Sequence, residues 1–248
     1  MPKYKNPPII EAVFDIKIDP VLGFPAKDIE KLHAKISDSY PIMEPQSMWE
    51  AMVEFKEGVP AKSEAFDKGI CGYRFWNSSR NQACLCRVDG FTFSRLKPYN
   101  SWEESFQEAL RLWSIYQQNL KPDSIKRIAI RYINSIEIPA VKFELADYFV
   151  DPPKPPAGLP QDLDEFLTRF VIRFSENMRA IVMVGVQPPD KPNTTRILLD
   201  IDVFAEVKNN MVSADSERVK NIFSNLREIK NRIFEETLQD KTKEFFNE

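Results

Sequence analysis

Ser124-Ile125-Lys126-Arg127-Ile128-Ala129-Ile130-Arg131-Tyr132-Ile133-Asn134-Ser135-Ile136-Glu137-Ile138 is the stretch on which the fold turns. Ile128, Ile130, Tyr132, Asn134, Ile136 and Ile138 fall on one side of an alternating pattern, and Arg127, Arg131, Ser135 and Glu137 on the other. Successive side chains of a strand point to opposite faces, so this period predicts a strand with one face in a core and one face carrying charge. Antiparallel sheets are the usual home of such a strand, because they can leave one face wet.

The same pattern recurs outward from this stretch. Ile10, Ala12, Phe14, Ile16 and Ile18 alternate with Glu11, Asp15 and Lys17 near the N-terminus. Near the C-terminus Ile197, Leu199, Ile201, Val203 and Ala205 alternate with Arg196, Asp200 and Asp202. Further strands are expected at about 47–56, 70–77, 82–89 and 91–97, the last two joined by an Asp89-Gly90 turn, and at about 165–175 and 178–188. In the first of these last two, Phe166, Phe170, Ile172 and Phe174 are expected to point inward.

Three segments carry a helical period instead. Between Pro25 and Pro41, Ile29, Leu32, His33 and Ile36 share a helical face. Ser101, with Glu104 three residues on, forms a capping box for a helix ending near Leu120 whose stripe is Phe106, Ala109, Leu110, Trp113 and Tyr116 or Gln117. A final helix is expected from a cap at Ser213 or Asp215 towards Glu236, with Val219, Ile222, Phe223, Leu226, Ile229, Ile233 and Phe234 inward.

In chain order these elements read strand, helix, four strands, helix, then strand, connector, strands, helix. The expected class is α+β: a pseudo-duplicated antiparallel sheet with the long helices packed on one face. Asp151 to Pro160 holds five prolines in ten residues and reads as a stiff connector. It suggests an N-terminal half at 1–140, a connector at 141–162 and a C-terminal half at 163–248, or one continuous domain.

Composition narrows the chemistry. The 248 residues carry 34 Lys and Arg against 37 Asp and Glu, a net charge of -3, the wrong sign for a protein living on phosphate contacts, so specific nucleic-acid binding is not expected. No apolar run is long enough to span a bilayer, and no secretory leader is recognisable at the N-terminus, so a cytoplasmic protein with no membrane partner is expected. One histidine, His33, leaves little material for His-based catalysis or zinc sites. Cys71, Cys84 and Cys86 read as inert thiols in a reducing compartment. Seven glycines include neither a GxGxxG nor a Walker sequence, and no cofactor or metal is expected.

What remains is the charged side of the strands. Glu11, Arg127, Arg131, Asp200 and Asp202 fall there, and bidentate arginines suit an anionic ligand or an acidic partner surface. The bland reading of the same residues is a face of mutually neutralised ion pairs. Asn134 and Tyr99 complete the candidate binding set, Tyr99 either lining a pocket mouth or stapling the following helix. Asp200-Ile201-Asp202 sets two carboxylates about 7 Å apart on one face. That spacing supports a rival reading, a metal-assisted hydrolase or nuclease. A homo-oligomer through exposed sheet edges is a third.

The run Tyr4-x-Asn6-Pro7-Pro8-Ile9-Ile10-Glu11-Ala12-Val13, with Asp89-Gly90-Phe91-Thr92-Phe93-Ser94-Arg95-Leu96-x-Pro98-Tyr99-x-x-Trp102, Arg127 to Asn134, Leu199 to Asp202 and the Arg232 to Phe234 region, resembles a sporadically distributed bacterial and archaeal family of about this length. The family carries no assigned catalytic residues or cofactor, so the resemblance transfers no chemistry to these positions. Its patchy distribution implies an accessory prokaryotic role, such as a component of a defence or toxin-antitoxin-like module. The expectation is therefore a non-enzymatic binding protein for a protein partner or a small anionic ligand.

Overall fold

The computed structural model describes residues 4–21, 25–56, 59–212 and 216–247. Nine strands form one antiparallel sheet: β1 (Ile9–Ile18), β2 (Ile42–Lys56), β3 (Val59–Trp76), β4 (Gln82–Arg87), β5 (Gly90–Leu96), β6 (Ser124–Ile138), β7 (Leu167–Arg173), β8 (Met178–Gln187) and β9 (Thr195–Val212). Their order across the sheet is β2-β3-β4-β5-β1-β6-β9-β8-β7. β1 and β6 thus lie side by side in the middle, pairing Phe14 with Ile130 and Ala12 with Tyr132. β6 coincides with the stretch that opens the sequence reading, and its register continues into β9, Tyr132 facing Ile201 and Arg131 facing Asp202.

The helices are α1 (His33–Ile36), α2 (Trp102–Leu120), α3 (Ser216–Thr237) and α4 (Asp240–Glu244). Phe14 shows how the core closes. Its ring, fully buried on β1, meets Phe93 of β5, Trp102 and Phe106 of α2 and Phe223 of α3, with centroids 5.2–6.2 Å apart. Aromatic contacts at these separations add to the area each ring removes from water. Among the described residues no helix is long and apolar enough to cross a membrane.

Several expectations need correction. The segment after Pro25 is a 3-10 helix over Ala26–Leu32 followed by one α turn, not a continuous α-helix. Ile29, Leu32 and Ile36 are nevertheless buried, since the spacing of three from Ile29 to Leu32 suits a 3-10 helix and the spacing of four to Ile36 suits the α turn that follows. Ser101 caps α2 by accepting from Glu104 N at 3.1 Å, but the Glu104 carboxylate turns to Asn100 Nδ2 at 2.9 Å, so only half of the capping box forms. Residues 59–69, which fall in none of the expected strands, belong to β3, which pairs along almost all of β2. Lys62-Ser63-Glu64 carries no apolar alternation from which a strand could be read. The Asp89-Gly90 hairpin forms one residue out of place, with Gly90 already paired to Arg87. Glycine is needed there for room: a Cβ would sit 2.9 Å from the Ile16 carbonyl of β1.

The largest departure is β7. Phe170 and Ile172 share a sheet face with buried Ala180 and Val182 of β8, yet they are 57% and 39% exposed. The face is the inward one, but α3 lies over β6 and β9 and stops short of this edge. The caps expected at Ser213 or Asp215 lie outside the described residues.

Candidate functional site

β6 divides the predicted site residues between two faces. Arg127 and Arg131 point to the open face with Glu11 of β1 and with Asp200 and Asp202 of β9; Asn134 faces the helices, as does Tyr99 through its contact with Tyr132. The seven residues therefore form two separate sites.

On the open face Arg131 donates from Nε and Nη2 to both carboxylate oxygens of Asp200 at 2.5–3.1 Å. It reaches diagonally, since the residue directly across from it is Asp202. Asp200 is only 2% exposed, and this fork is its charge partner. Hydrogen bonds to Asp200 in turn raise the Arg131 guanidinium above its ordinary value. Arg127 lies between two acids, 3.2 Å from Asp202 and 3.3 Å from Asp15 of β1, with its guanidinium 4.4 Å from the centre of the Phe204 ring. Burial pushes the Asp202 carboxyl upward against the pull of Arg127 and Arg131. Asp15 accepts from Thr92 Oγ1 of β5 at 2.8 Å and lies 4.0 Å from Arg87 of β4, which also pairs with Asp89 at 3.1 Å.

The result is a ladder of alternating sign crossing five strands. Its arginines are already matched, so an incoming small anion has to displace a carboxylate. Equally, a cation shared by Asp200 and Asp202 has to displace Arg131 from a bidentate fork. Glu11 stands opposite Ile133 on β6, half-buried, and its charge is felt at Arg131. Among the described residues no three His, Cys, Asp or Glu side chains gather as a metal site.

The other face of β6 holds a cavity of about 50 Å³, lined by Tyr4, Pro7, Pro8, Ile9, Tyr132, Asn134, Lys230 and Phe234. Its walls come from the two ends of the chain. Pro8 O accepts from Ser135 N and Phe246 O accepts from Asn6 N, each at 2.8 Å, which pins the N-terminal segment between β6 and the C-terminal helices. Tyr4 donates to Glu235 at 3.0 Å and packs edge-on against Phe246. Asn134, 1% exposed, gives its amide to the carbonyl of Leu199 at 2.9 Å. Tyr99 meets Tyr132 hydroxyl to hydroxyl at 3.0 Å, and burial pushes its phenol up to about 12.

Lys230 is the residue that the sequence reading missed. Its Nζ sits 4.1 Å from the centre of the Tyr132 ring, and among the described residues no carboxylate lies within ion-pair distance of it. Burial, assisted by Arg227 and opposed by Glu235, pulls its ammonium down to about 7. A signal existed: Val219, Phe223, Leu226, Lys230 and Ile233 follow a four-three-four-three spacing, so a lysine occupies the apolar stripe of α3. The three cysteines are free, with Cys84 and Cys86 buried side by side.

No family model matches the chain, and no curated protein matches it.

Proposed function

We propose that this chain is a non-enzymatic interaction protein of the prokaryotic cytoplasm that engages a protein partner across the open side of its sheet, from the charged ladder on β6 to the edge strand β7. The observation that carries this reading is the edge itself. Leu167 and Val171 on the open side are 71% and 55% exposed, Phe170 and Ile172 face the other way and are also exposed, and among the described residues one flank of the backbone has no strand beside it. An exposed edge is a template for another chain; on this one Arg169 and Arg173 alternate with Leu167 and Val171, so a partner strand meets apolar and cationic side chains together. The ladder favours a protein over a small anion, because its matched charges can rearrange against a surface without leaving a carboxylate bare.

The architecture is read here as pseudo-duplicated, with the long helices on one face. Two adjacent central strands, each followed by a meander that starts at an edge of the sheet, returns inward to that strand and ends in a helix, support that reading. We infer that the chain serves an accessory prokaryotic role, such as a component of a defence or toxin-antitoxin-like module, in keeping with its resemblance to the sporadically distributed family.

Native mass spectrometry of the protein purified from a native-like extract tests the proposal. The expected result is an added polypeptide mass, a second copy or another chain, that disappears when Leu167→Lys and Val171→Lys are combined. A bare monomer over the whole working concentration range overturns it.

A further inference from the structure

The N-terminal run that carries the family resemblance has no part in the charged ladder beyond Glu11. Tyr4, Pro7, Pro8 and Ile9 instead build a wall of the cavity on the opposite face of β6, and Lys230 projects into that wall's other side. We infer that this cavity is a binding site for a small aldehyde or ketone, which the Lys230 amine captures as an imine.

Three observations support a carbonyl compound. The lining is mostly hydrocarbon, from Pro7, Pro8, Ile9 and Phe234, so it admits a neutral group more readily than an ion. The volume is small: a 150 Å³ apolar cavity holds benzene, so about 50 Å³ has room for roughly two or three non-hydrogen atoms. The amine is the only charged group among the described residues that line the cavity, no carboxylate among them lies within ion-pair distance of it, and it is held over the face of Tyr132 at 4.1 Å. Asn134 spends its amide on backbone carbonyls and Tyr4 its hydroxyl on Glu235, which leaves Lys230 as the reactive group.

The step balances without an added reagent. The neutral nitrogen lone pair attacks the carbonyl carbon, and a proton moves from nitrogen to oxygen to give a carbinolamine. Loss of the hydroxyl with the second nitrogen proton releases one water and leaves the C=N bond. A lysine kept from its charged form by desolvation and a neighbouring cation is suited to this. The groups that face it are Arg227 and Glu235 on its own helix, Tyr132 of β6 with Tyr99 behind it, and Tyr4 of the N-terminal segment. Arg227 is itself paired with Glu103 of α2 at 3.0 Å, and burial with Arg227 holds the Lys230 ammonium at about 7.

Acetaldehyde with cyanoborohydride is the probe, applied to the folded full chain at pH 7 and read by peptide mass spectrometry. At that pH a group at about 7 is about half neutral, against roughly one in 2,500 for an ordinary lysine. Lower basicity also lowers nucleophilicity, so the expected result is ethylation of Lys230 about tenfold faster than of exposed Lys27 and Lys154. The excess should vanish in denaturant, and the adduct at this position should be absent in Lys230→Met. Labelling of Lys230 at or below the rate of the exposed lysines overturns the inference. So does an excess that persists in the unfolded chain.

Discussion

Arg131 projects from one face of β6, Lys230 of α3 packs against the other, and the two meet opposite fates. Arg131 is half-exposed yet fully answered: Asp200 takes both arms of its fork, and Asp202 and Glu11 add to the field around it. Lys230 is more deeply set, and it has an aromatic face in place of a carboxylate. A guanidinium at the open face has water and acids within reach, whereas an ammonium between helix and sheet sits among proline, isoleucine and phenylalanine. The difference teaches where to look for chemistry in this molecule. Charge that is matched holds strands in register, and charge that is not matched marks a place where something else can bind or react.

The largest expected effect comes from breaking the matched side. Arg131→Ala leaves the Asp200 carboxylate, 2% exposed, without its charge partner, and a loss of about 2–4 kcal/mol in unfolding free energy follows. Urea denaturation at neutral pH measures it, and adding Asp200→Asn should restore part of the loss. A loss under about 0.5 kcal/mol would reduce the ladder to the ordinary surface ion pairs that contribute little.

A smaller effect of opposite sign is expected on the unmatched side. The folded protein holds Lys230 near 7, whereas the unfolded chain holds it near the ordinary value of about 10.4. Between these values the unfolded state binds the extra proton, so stability rises with pH across that window and the penalty is complete below it. Lys230→Met removes the penalty. It should stabilise the fold by about 1–2 kcal/mol at pH 6 and lose that advantage above about pH 10. Thermal unfolding of both proteins across that range checks the sign, and a constant difference between them would show that packing, not charge, sets the effect.

Much of this arrangement was legible in the residues. Most of β6 could be read because residues 127–138 alternate, with a register shift between Ile125 and Arg127 interrupting the pattern near the start, and the open face followed from the same alternation, since Arg127, Arg131, Asp200 and Asp202 all occupy the polar parity of their strands. Period alone says which side a residue takes, but not what covers that side. Phe170 and Ile172 have the parity of core residues and stay exposed because, among the described residues, α3 packs over β6 and β9 and not over β7. Asn134 and Tyr99 were grouped with the arginines, although the parity of β6 sends Asn134 to the opposite face.

The cavity was harder to foresee because it forms between distant segments. Tyr4 and Glu235 are 231 residues apart, and no local pattern announces their hydrogen bond. The one trace was a lysine at an inward position of α3, and Ile229 beside it supplied an apolar residue that let the stripe be drawn around it.

The protonation of Lys230 in the folded chain tests the contrast between the two cations most directly. Following its side-chain nitrogen by heteronuclear NMR from pH 5 to pH 11 gives the midpoint without any substitution. A midpoint at about 7 is the predicted result. One above about 10, where a solvated lysine titrates, would mean that the amine is matched by water or by Glu235, and would contradict the account.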